Sequence, residues 1–188
     1  SAANLSNLAE GLAQMVQETR VYLDHAASSP ASAAVRAAVA EAMALAGNPS
    51  SLHGAGRDAR RRLEQARESI AADLGARPGE VVFTSGGTEA NNLALLGAAG
   101  PEGEALVSAV EHVSVLEARR VLGARVTVLD VDSDGRVDPS FVASAIGPAT
   151  RLASVMWVNN ETGVVQPVAA IAEVARKAGV LAHTDAVQ

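Results

Sequence analysis

The chain has 188 residues, of which 48% are hydrophobic and 19% are charged, and its formal net charge is −6. That length is enough for a buried core, and because only 2% of the residues are aromatic the core must be aliphatic. The acidic balance argues against a nucleic-acid partner, and no apolar run reaches the roughly 18 residues that a membrane span needs. With no secretory signal at its start, we expect a cytoplasmic protein that does not bind membranes.

Two residue counts limit the chemistry. The chain contains no cysteine, which excludes disulfides, thiolate nucleophiles and cysteine metal sites within it. It contains one lysine, Lys177, against 14 arginines. A mechanism that needs a lysine must therefore use Lys177 or take a lysine from elsewhere.

The first part of the chain is predicted to be helical. Residues 1–19 place apolar side chains at helical intervals, which indicates an amphipathic docking helix. An alanine-rich helix is predicted over 32–45, with Ser32 as its N-cap. The next helix is predicted over 57–74, and Gly75 ends it.

From residue 80 onward, short apolar strands alternate with helices. The strands are predicted at 80–84, 105–110, 125–131, 152–158 and 180–184. The helices are predicted at 88–97, 113–122, 139–146 and 168–178. This alternation predicts an α/β fold, a mainly parallel sheet with helices on both faces, in a strand order that the sequence does not fix.

A glycine-rich turn follows the first predicted strand. Parallel sheets bind ligands at the carboxyl ends of their strands, where Ser85, Gly86, Gly87 and Thr88 open a helix here. Free amides at a helix N-terminus favour an anion such as phosphate. The alternative is an ordinary strand-to-helix turn in which Thr88 is the cap, because glycine-rich turns are common.

Polar residues follow two further strands. His112 comes after strand 105–110 and either stacks on a planar ligand or transfers protons, or only caps a turn. Asn159 and Asn160 come after strand 152–158, where they bind a ligand or simply build the turn.

Asp185 follows the last predicted strand, and a carboxylate there can pair with a protonated ring nitrogen. His183 and Asp185 face the same side of that strand, but no third ligand is nearby in sequence, so we predict no metal site. A phosphate-binding turn, a histidine that can stack, an amide and a carboxylate at one sheet edge suit a flat, phosphorylated, protonated heterocycle. Pyridoxal 5′-phosphate has that chemistry.

The chain resembles the cysteine desulfurases, within the class-V aminotransferase group of fold-type I pyridoxal phosphate enzymes. The resemblance runs from Val21 to Gln188 and is carried by six segments in family order and spacing. These segments are VYLDHAA (21–27), NPSSLH (48–53), FTSGGTEANN (83–92), EH (111–112), VNNETG (158–163) and HTDAVQ (183–188).

The resemblance implies a role for each matching residue. Gly87 and Thr88 would hold the cofactor phosphate, and His112 would stack on the pyridine ring as the catalytic histidine. Asn160 would contact the ring or the substrate side, Asp185 would pair with the ring nitrogen, and Gln188 would hydrogen-bond the phenolic oxygen. Residues 22–27 and 48–53 would lie close to the active site, which in this family is near the interface of a homodimer.

Two residues that the family needs lie beyond the end of this sequence. The family's Schiff-base lysine follows the segment that ends here at Gln188, and its catalytic cysteine comes later still, on a mobile loop. Lys177 is expected on the solvated face of its helix, which does not suit a Schiff base. The chain therefore divides into a docking helix (1–20), an N-terminal segment at the dimer and active-site edge (21–75) and the front part of the cofactor-binding large domain (76–188).

The resemblance implies one part of an enzyme that converts L-cysteine to L-alanine and passes persulfide sulfur on. The acceptor would be an iron–sulfur scaffold or another sulfur-acceptor protein, and a complementary C-terminal polypeptide would supply the missing residues. The alternatives are a non-catalytic assembly or interaction module, and a fragment of a selenocysteine lyase-like or other class-V enzyme. A dinucleotide-binding domain is disfavoured because the glycine spacing does not match that fingerprint.

Overall fold

The computed structural model describes residues 21–188. The docking helix predicted in the first 20 residues lies outside the described residues. Among the residues described, no helix is both long and apolar enough to cross a membrane.

The centre of the fold is a sheet of four parallel strands in the order β2-β1-β3-β4. The strands are β1 (Glu104–Ser108), β2 (Val126–Leu129), β3 (Thr150–Ser154) and β4 (Leu181–His183). The predicted parallel α/β sheet is confirmed. Because parallel neighbours need long crossovers, a helix lies between each strand and the next along the chain.

Seven α-helices are described. They are α1 (Ala33–Met43), α2 (Gly54–Leu74), α3 (Gly87–Ala99), α4 (Val113–Leu116), α5 (Arg119–Leu122), α6 (Pro139–Ala145) and α7 (Val168–Lys177). Ser32 caps α1 by accepting a hydrogen bond from the Val35 amide at 3.2 Å, and Gly75 ends α2 with a left-handed φ of 65°. Both end residues are as predicted.

The two faces of the sheet carry separate layers of the core. Ala105 and Val107 of β1 pack with Leu95 of α3 and with residues of α4 and α5. The alternate side chains, such as Leu106, pack with Ile171 of α7 and with residues of α6. This two-residue alternation buries both faces of the sheet at its central strands β1 and β3, as the apolar strands predict.

The strand predicted at 80–84 is wrong. A short 3₁₀ helix, Pro78–Glu80, replaces its start, and the extended residues that follow pair with no strand in the described part of the chain. Instead, the Val81 carbonyl accepts a hydrogen bond from the Arg67 guanidinium of α2. An apolar run becomes a strand only when a neighbouring strand completes its hydrogen bonds.

The helix predicted over 113–122 is divided into α4 and α5. Between them the backbone bonds shorten from four-residue to three-residue spacing, as when the Ala118 amide donates to the Val115 carbonyl at 3.1 Å. The helix predicted to begin at Arg57 starts earlier, because His53 Nδ1 accepts from the Gly56 amide at 3.3 Å and caps α2.

Candidate functional site

A cavity of about 430 Å³ opens at the carboxyl ends of the strands. All six residues predicted to bind a cofactor line it, although they come from four separate parts of the chain. These residues are Gly87, Thr88, His112, Asn160, Asp185 and Gln188. The edge of the sheet therefore brings together residues that the sequence predicts one by one as cofactor-binding.

The N-terminus of α3 forms one side of the cavity. Its N-cap is Gly86, and no side chain caps the helix, so the alternative prediction of Thr88 as the cap is wrong. Gly87 and Thr88 line the cavity directly. Glu89 instead accepts hydrogen bonds from the Ser85 amide at 2.6 Å and the Ser85 hydroxyl at 2.5 Å, which lower the pKa of its carboxyl. The first turn of α3 thus presents backbone amides that attract anions.

His112 both caps a turn, as one alternative predicts, and lines the cavity. Its Nδ1 accepts from the Ser114 amide at 3.2 Å and lies 2.7 Å from the Ser114 hydroxyl. That hydroxyl already accepts from Asn91 Nδ2 at 2.9 Å, so its own proton points to His112 Nδ1. The ring proton of a neutral His112 therefore sits on Nε2.

Asp185, another of the lining residues, is held from two directions. Its Oδ2 accepts from Asn91 Nδ2 at 2.8 Å, and its Oδ1 accepts from the Val187 amide at 3.1 Å. An ionised carboxylate keeps further acceptor positions after these two bonds. Asp185 is thus a fixed acceptor that still has room for a donor in the cavity.

Sequence reasoning gave no role to Asn91 and Ser114, which join Asp185 to His112. Asn91 is 4% exposed, and its amide donates to both Asp185 and Ser114. The sequence does contain a sign of this role. Asn91 lies three residues after Thr88 and four after Gly87, so it shares their face of α3.

The two adjacent asparagines have different roles. Asn159 is buried and builds the turn: its Oδ1 accepts from the amides of Glu161 and Thr162, and its Nδ2 donates to the Val110 carbonyl at 2.9 Å. Asn160 lines the cavity. The turn-building alternative thus holds for Asn159, and Asn160 is the asparagine that lines the cavity.

The N-terminal segment reaches the cavity at only one of the two predicted places. Ala26 and Ala27 line it, and the Ala26 carbonyl accepts from Gln188 Nε2 at 3.0 Å. None of the residues 48–53 is among the lining residues. Within that segment, His53 instead caps α2.

His183 lies on the same sheet face as Asp185 but not in the cavity lining. Its Nδ1 is 2.8 Å from the Ser154 hydroxyl. Burial lowers the pKa of His183, against the opposing effect of the Asp185 charge. In the part of the chain that the structure describes, no group of three potential metal ligands comes together.

A buried carboxyl group lies beneath the cavity. Glu111 is 6% exposed, and its Oε1 accepts from the Ser108 hydroxyl at 2.7 Å and from the Met156 amide at 2.6 Å. Burial raises the pKa of Glu111 to about 7, and the Asp185 charge adds to that effect against the two hydrogen bonds. The sequence shows Glu111 next to His112 but gives no sign of its burial.

The chain is similar in sequence to proteins named as cysteine desulfurases. The IscS-like cysteine desulfurase of Mycobacterium tuberculosis is 46% identical over 180 residues, which are 89% of this chain and 46% of that protein. The cysteine desulfurase IscS of Dictyoglomus turgidum is 43% identical over 180 residues, 89% of this chain and 45% of that protein. The chain thus spans about half the length of these relatives.

Solved structures share the fold. One described as SspA in complex with cysteine has a TM-score of 0.81 and 37% identity, over 90% of this chain and 51% of that one. DndA from Streptomyces lividans has a TM-score of 0.76 and 41% identity, over 89% of this chain and 49% of that one. The family model for class-V aminotransferases matches residues 21–188, so the chain belongs to the class-V aminotransferase family.

Proposed function

We propose that this chain forms the cofactor-binding part of a pyridoxal phosphate-dependent cysteine desulfurase. The observation that carries the proposal is the single cavity in which the N-terminus of α3, His112 and the anchored Asp185 carboxylate meet. The family uses pyridoxal phosphate, and the similar proteins named above are cysteine desulfurases.

The residues present fit the cofactor. The cavity volume falls in the range of about 300–1,000 Å³ that is usual for small-molecule sites. The uncapped amides of α3 suit a phosphate, and the Asp185 carboxylate suits a protonated ring nitrogen. A side chain at Gly87 would narrow the cradle, since its Cβ would lie 3.6 Å from Val187 Cγ2.

Each of the six predicted residues would then have a defined task. The Gly87 and Thr88 amides would bind the phosphate, and the Asp185 carboxylate would keep a proton on the ring nitrogen. His112, with its ring proton on Nε2, would pack on the ring and exchange protons with the substrate. Asn160 would contact the ring or the substrate side, and Gln188 would hydrogen-bond the phenolic oxygen. When bound, pyridoxal phosphate supplies an electron sink for negative charge at the substrate's α-carbon.

The lysine and the cysteine of the reaction must come from outside these 188 residues. Lys177 is unsuitable because its side chain is 71% exposed and its Nζ lies 3.5 Å from a Glu173 carboxylate on the surface of α7. We call this chain together with the polypeptide that supplies both residues the holoenzyme. We infer that the holoenzyme is a homodimer in which the cavity of each subunit lies near the subunit interface.

The proposed reaction converts L-cysteine to L-alanine. The carbon–sulfur bond of the substrate breaks, and a cysteine thiolate of the holoenzyme takes the sulfur as a persulfide. We propose iron–sulfur cluster assembly as the destination of that sulfur, through a scaffold or another acceptor protein. The cytoplasmic location remains a prediction from the sequence.

A denaturing intact-mass spectrum of the native material, with and without borohydride reduction, tests the proposal. We expect the cofactor mass to appear after reduction on a polypeptide other than these 188 residues, or on a longer chain that contains them. A single 19.0 kDa species that gains no mass would contradict the proposal and would favour the non-catalytic assembly module.

Matched variants test the site itself. In the holoenzyme, Asp185→Ala removes the partner of the ring nitrogen, and we expect about 10- to 100-fold weaker cofactor binding. Lys177→Ala changes an exposed side chain on α7 and should leave binding unchanged. Equal losses in both variants, or none in Asp185→Ala, would refute the assigned roles.

A further inference from the structure

A buried polar link joins helices α3 and α4 at the wall of the cavity. Asn91 of α3 is 4% exposed and Ser114 of α4 is 6% exposed, and Asn91 Nδ2 donates to the Ser114 hydroxyl at 2.9 Å. Leu95 lies one turn after Asn91 and belongs to the same layer of the core as Val115, the residue that follows Ser114. The packed core therefore holds these two polar side chains within hydrogen-bond distance of each other.

The link connects two groups to which the proposed function gives different tasks. At one end, Asn91 Nδ2 also donates to Asp185 Oδ2 at 2.8 Å. At the other end, the Ser114 hydroxyl lies 2.7 Å from His112 Nδ1. Asn91 therefore contacts Asp185 directly and reaches His112 through the serine hydroxyl. No hydrogen bond in the described part of the chain joins Ser114 to Asp185.

Chemistry fixes the direction of every bond in this link. A carboxylate only accepts hydrogen bonds, so the side-chain atom that Asn91 presents to Asp185 is its amide nitrogen. The two hydrogens of that nitrogen serve Asp185 and Ser114, which leaves the hydroxyl proton for His112 Nδ1. The Ser114 backbone amide donates to the same Nδ1 at 3.2 Å. Two donors at Nδ1 hold the ring proton of a neutral His112 on Nε2.

We propose that Asn91 and Ser114 are positioning residues with separate tasks in the reaction. Ser114 holds the His112 ring in one orientation, with its Nε2 proton available for exchange with the substrate. Asn91 supports His112 through Ser114 and in addition orients the Asp185 carboxylate that binds the cofactor ring. The inference rests on the proposed function, which supplies the tasks of His112 and Asp185. A single buried amide thus serves both cofactor binding and proton exchange.

Removing the Ser114 hydroxyl should affect one end of the link. Ser114→Ala keeps the backbone amide that donates to His112 Nδ1, so the cap of α4 remains. We expect the holoenzyme to form alanine from L-cysteine with a kcat about tenfold lower, because the ring has lost one of its two anchoring bonds. Its affinity for pyridoxal 5′-phosphate should stay within about twofold of wild type, because Asp185 keeps both of its donors.

Removing the Asn91 amide should affect both ends. Asn91→Leu has a similar volume but donates no hydrogen bond, so Asp185 Oδ2 loses its partner and the Ser114 hydroxyl is free to turn. We expect cofactor binding to weaken about tenfold, and kcat at saturating cofactor to fall about tenfold as well. Adding Ser114→Ala to Asn91→Leu should lower kcat little further, because both changes break the same link.

The link itself can be observed in the holoenzyme without cofactor. The measurement is the NMR chemical shift of the His112 Nδ1 nitrogen, a signal identified by its loss in His112→Gln. This shift depends on whether the ring nitrogen carries a proton, accepts hydrogen bonds or is free. The signal should move in Ser114→Ala and in Asn91→Leu. A residue that only packs the helices together would not move it.

Two matched variants serve as controls. Ser144→Ala removes the hydroxyl that donates to the Phe141 carbonyl on the surface of α6. Asn92→Leu makes the asparagine change one residue along α3, where Asn92 Nδ2 donates to the Thr88 carbonyl of the same helix. Both controls should keep the Nδ1 signal, kcat and cofactor affinity of wild type. Losses in the controls as large as those in Ser114→Ala and Asn91→Leu would refute the inference.

The outcomes separate this inference from the proposed function. An Nδ1 signal that stays in place in Ser114→Ala would show that the link is absent in solution, and an unchanged kcat would show that the link has no part in the reaction. Either result refutes the inference, as do equal losses of cofactor affinity in Ser114→Ala and Asn91→Leu. If wild type binds no cofactor or forms no alanine, the proposed function fails, and the Nδ1 signal of the cofactor-free protein still shows whether the link exists.

Discussion

The helices before residue 80 and the sheet after residue 100 are built in different ways. Helix α1 contains no buried residue, and in α2 only Gly56 and Ala71 are buried. By contrast, every buried hydrophobic residue of the described chain except Ala71 lies from Leu95 onward, in α3 to α7, in the sheet or in the segments that connect them. The first region is ordered by helix propensity, caps and close backbone contacts, whereas the second is ordered by burial.

The largest contrast is expected for leucine truncation in the two regions. Leu106 in β1 is 2% exposed, and Leu74 at the end of α2 is 72% exposed. Leu106→Ala leaves a cavity between β1 and α7 and should lower the free energy of unfolding by about 3 kcal/mol, whereas Leu74→Ala should change it by less than about 0.5 kcal/mol. Urea unfolding of the purified protein measures both.

A loss of unfolding free energy in Leu74→Ala as large as that in Leu106→Ala would contradict this difference between the two regions. It would mean that the exposed face of α2 is covered in solution, as the predicted interface at the edge of the site requires. The same experiment on a concentration series would then reveal that the unfolding midpoint rises with protein concentration.

The carboxyl groups of the two regions should respond to pH in opposite directions. The pKa of Glu111 is raised by burial from 4.5 to about 7, so the folded protein binds its proton more tightly than the unfolded chain does. Its contribution is fully present below pH 4.5 and is lost as the pH rises through 7, which amounts to about 3 kcal/mol of unfolding free energy. Hydrogen bonds from Arg77 lower the pKa of Glu80, so its contribution is lost as the pH falls below its ordinary pKa.

Urea unfolding between pH 5 and 8 measures the Glu111 effect, because the Glu80 effect lies below this range. Glu111→Gln should flatten the decline of stability with rising pH, whereas Glu80→Gln should leave that decline as it is in wild type. An unchanged slope in Glu111→Gln would show that the Glu111 carboxyl is hydrated rather than buried.

Close backbone packing at the start of α2 should be the next most sensitive feature. A Cβ at Gly56 would lie 2.4 Å from the Ser51 carbonyl oxygen, whereas one at Gly54 would meet only Arg57 Nη2 at 4.0 Å. Gly56→Ala should therefore destabilise the protein by about 2 kcal/mol, and Gly54→Ala should be neutral or stabilising by up to about 1 kcal/mol. Far-ultraviolet circular dichroism during urea unfolding compares them, and equal behaviour would show that the loop at Ser51 moves away.

The same contrast explains what the sequence predicts well. In the sheet region, apolar runs between glycine-rich turns predict four of the five strands, because burial on both faces leaves a clear pattern. The residues just past these strands meet in one cavity, because parallel strands end at the same edge. The parallel arrangement of the strands thus brings polar residues that are far apart in the sequence into one cavity.

Features that depend on distant partners could not be predicted. The run at 80–84 has the composition of a strand but no pairing partner in the described chain, and composition carries no information about pairing. The burial of Glu111 depends on Met156, 45 residues away, so its position beside His112 reveals nothing of its charge state. The link through Asn91 and Ser114 likewise requires the packing of α3 on α4.

The smallest expected effect is at the start of α1, where the N-cap side chain stabilises a helix that has no buried residue. The Ser32 hydroxyl accepts from the Val35 amide, and α1 has no buried residue to hold its first turn otherwise. Ser32→Ala should therefore cost about 1 kcal/mol and Ser32→Asp should restore it, since aspartate caps equally well. Amide hydrogen exchange at residues 33–36 reports this turn directly. Unchanged exchange in Ser32→Ala would mean that contacts with another chain, rather than the cap, order α1.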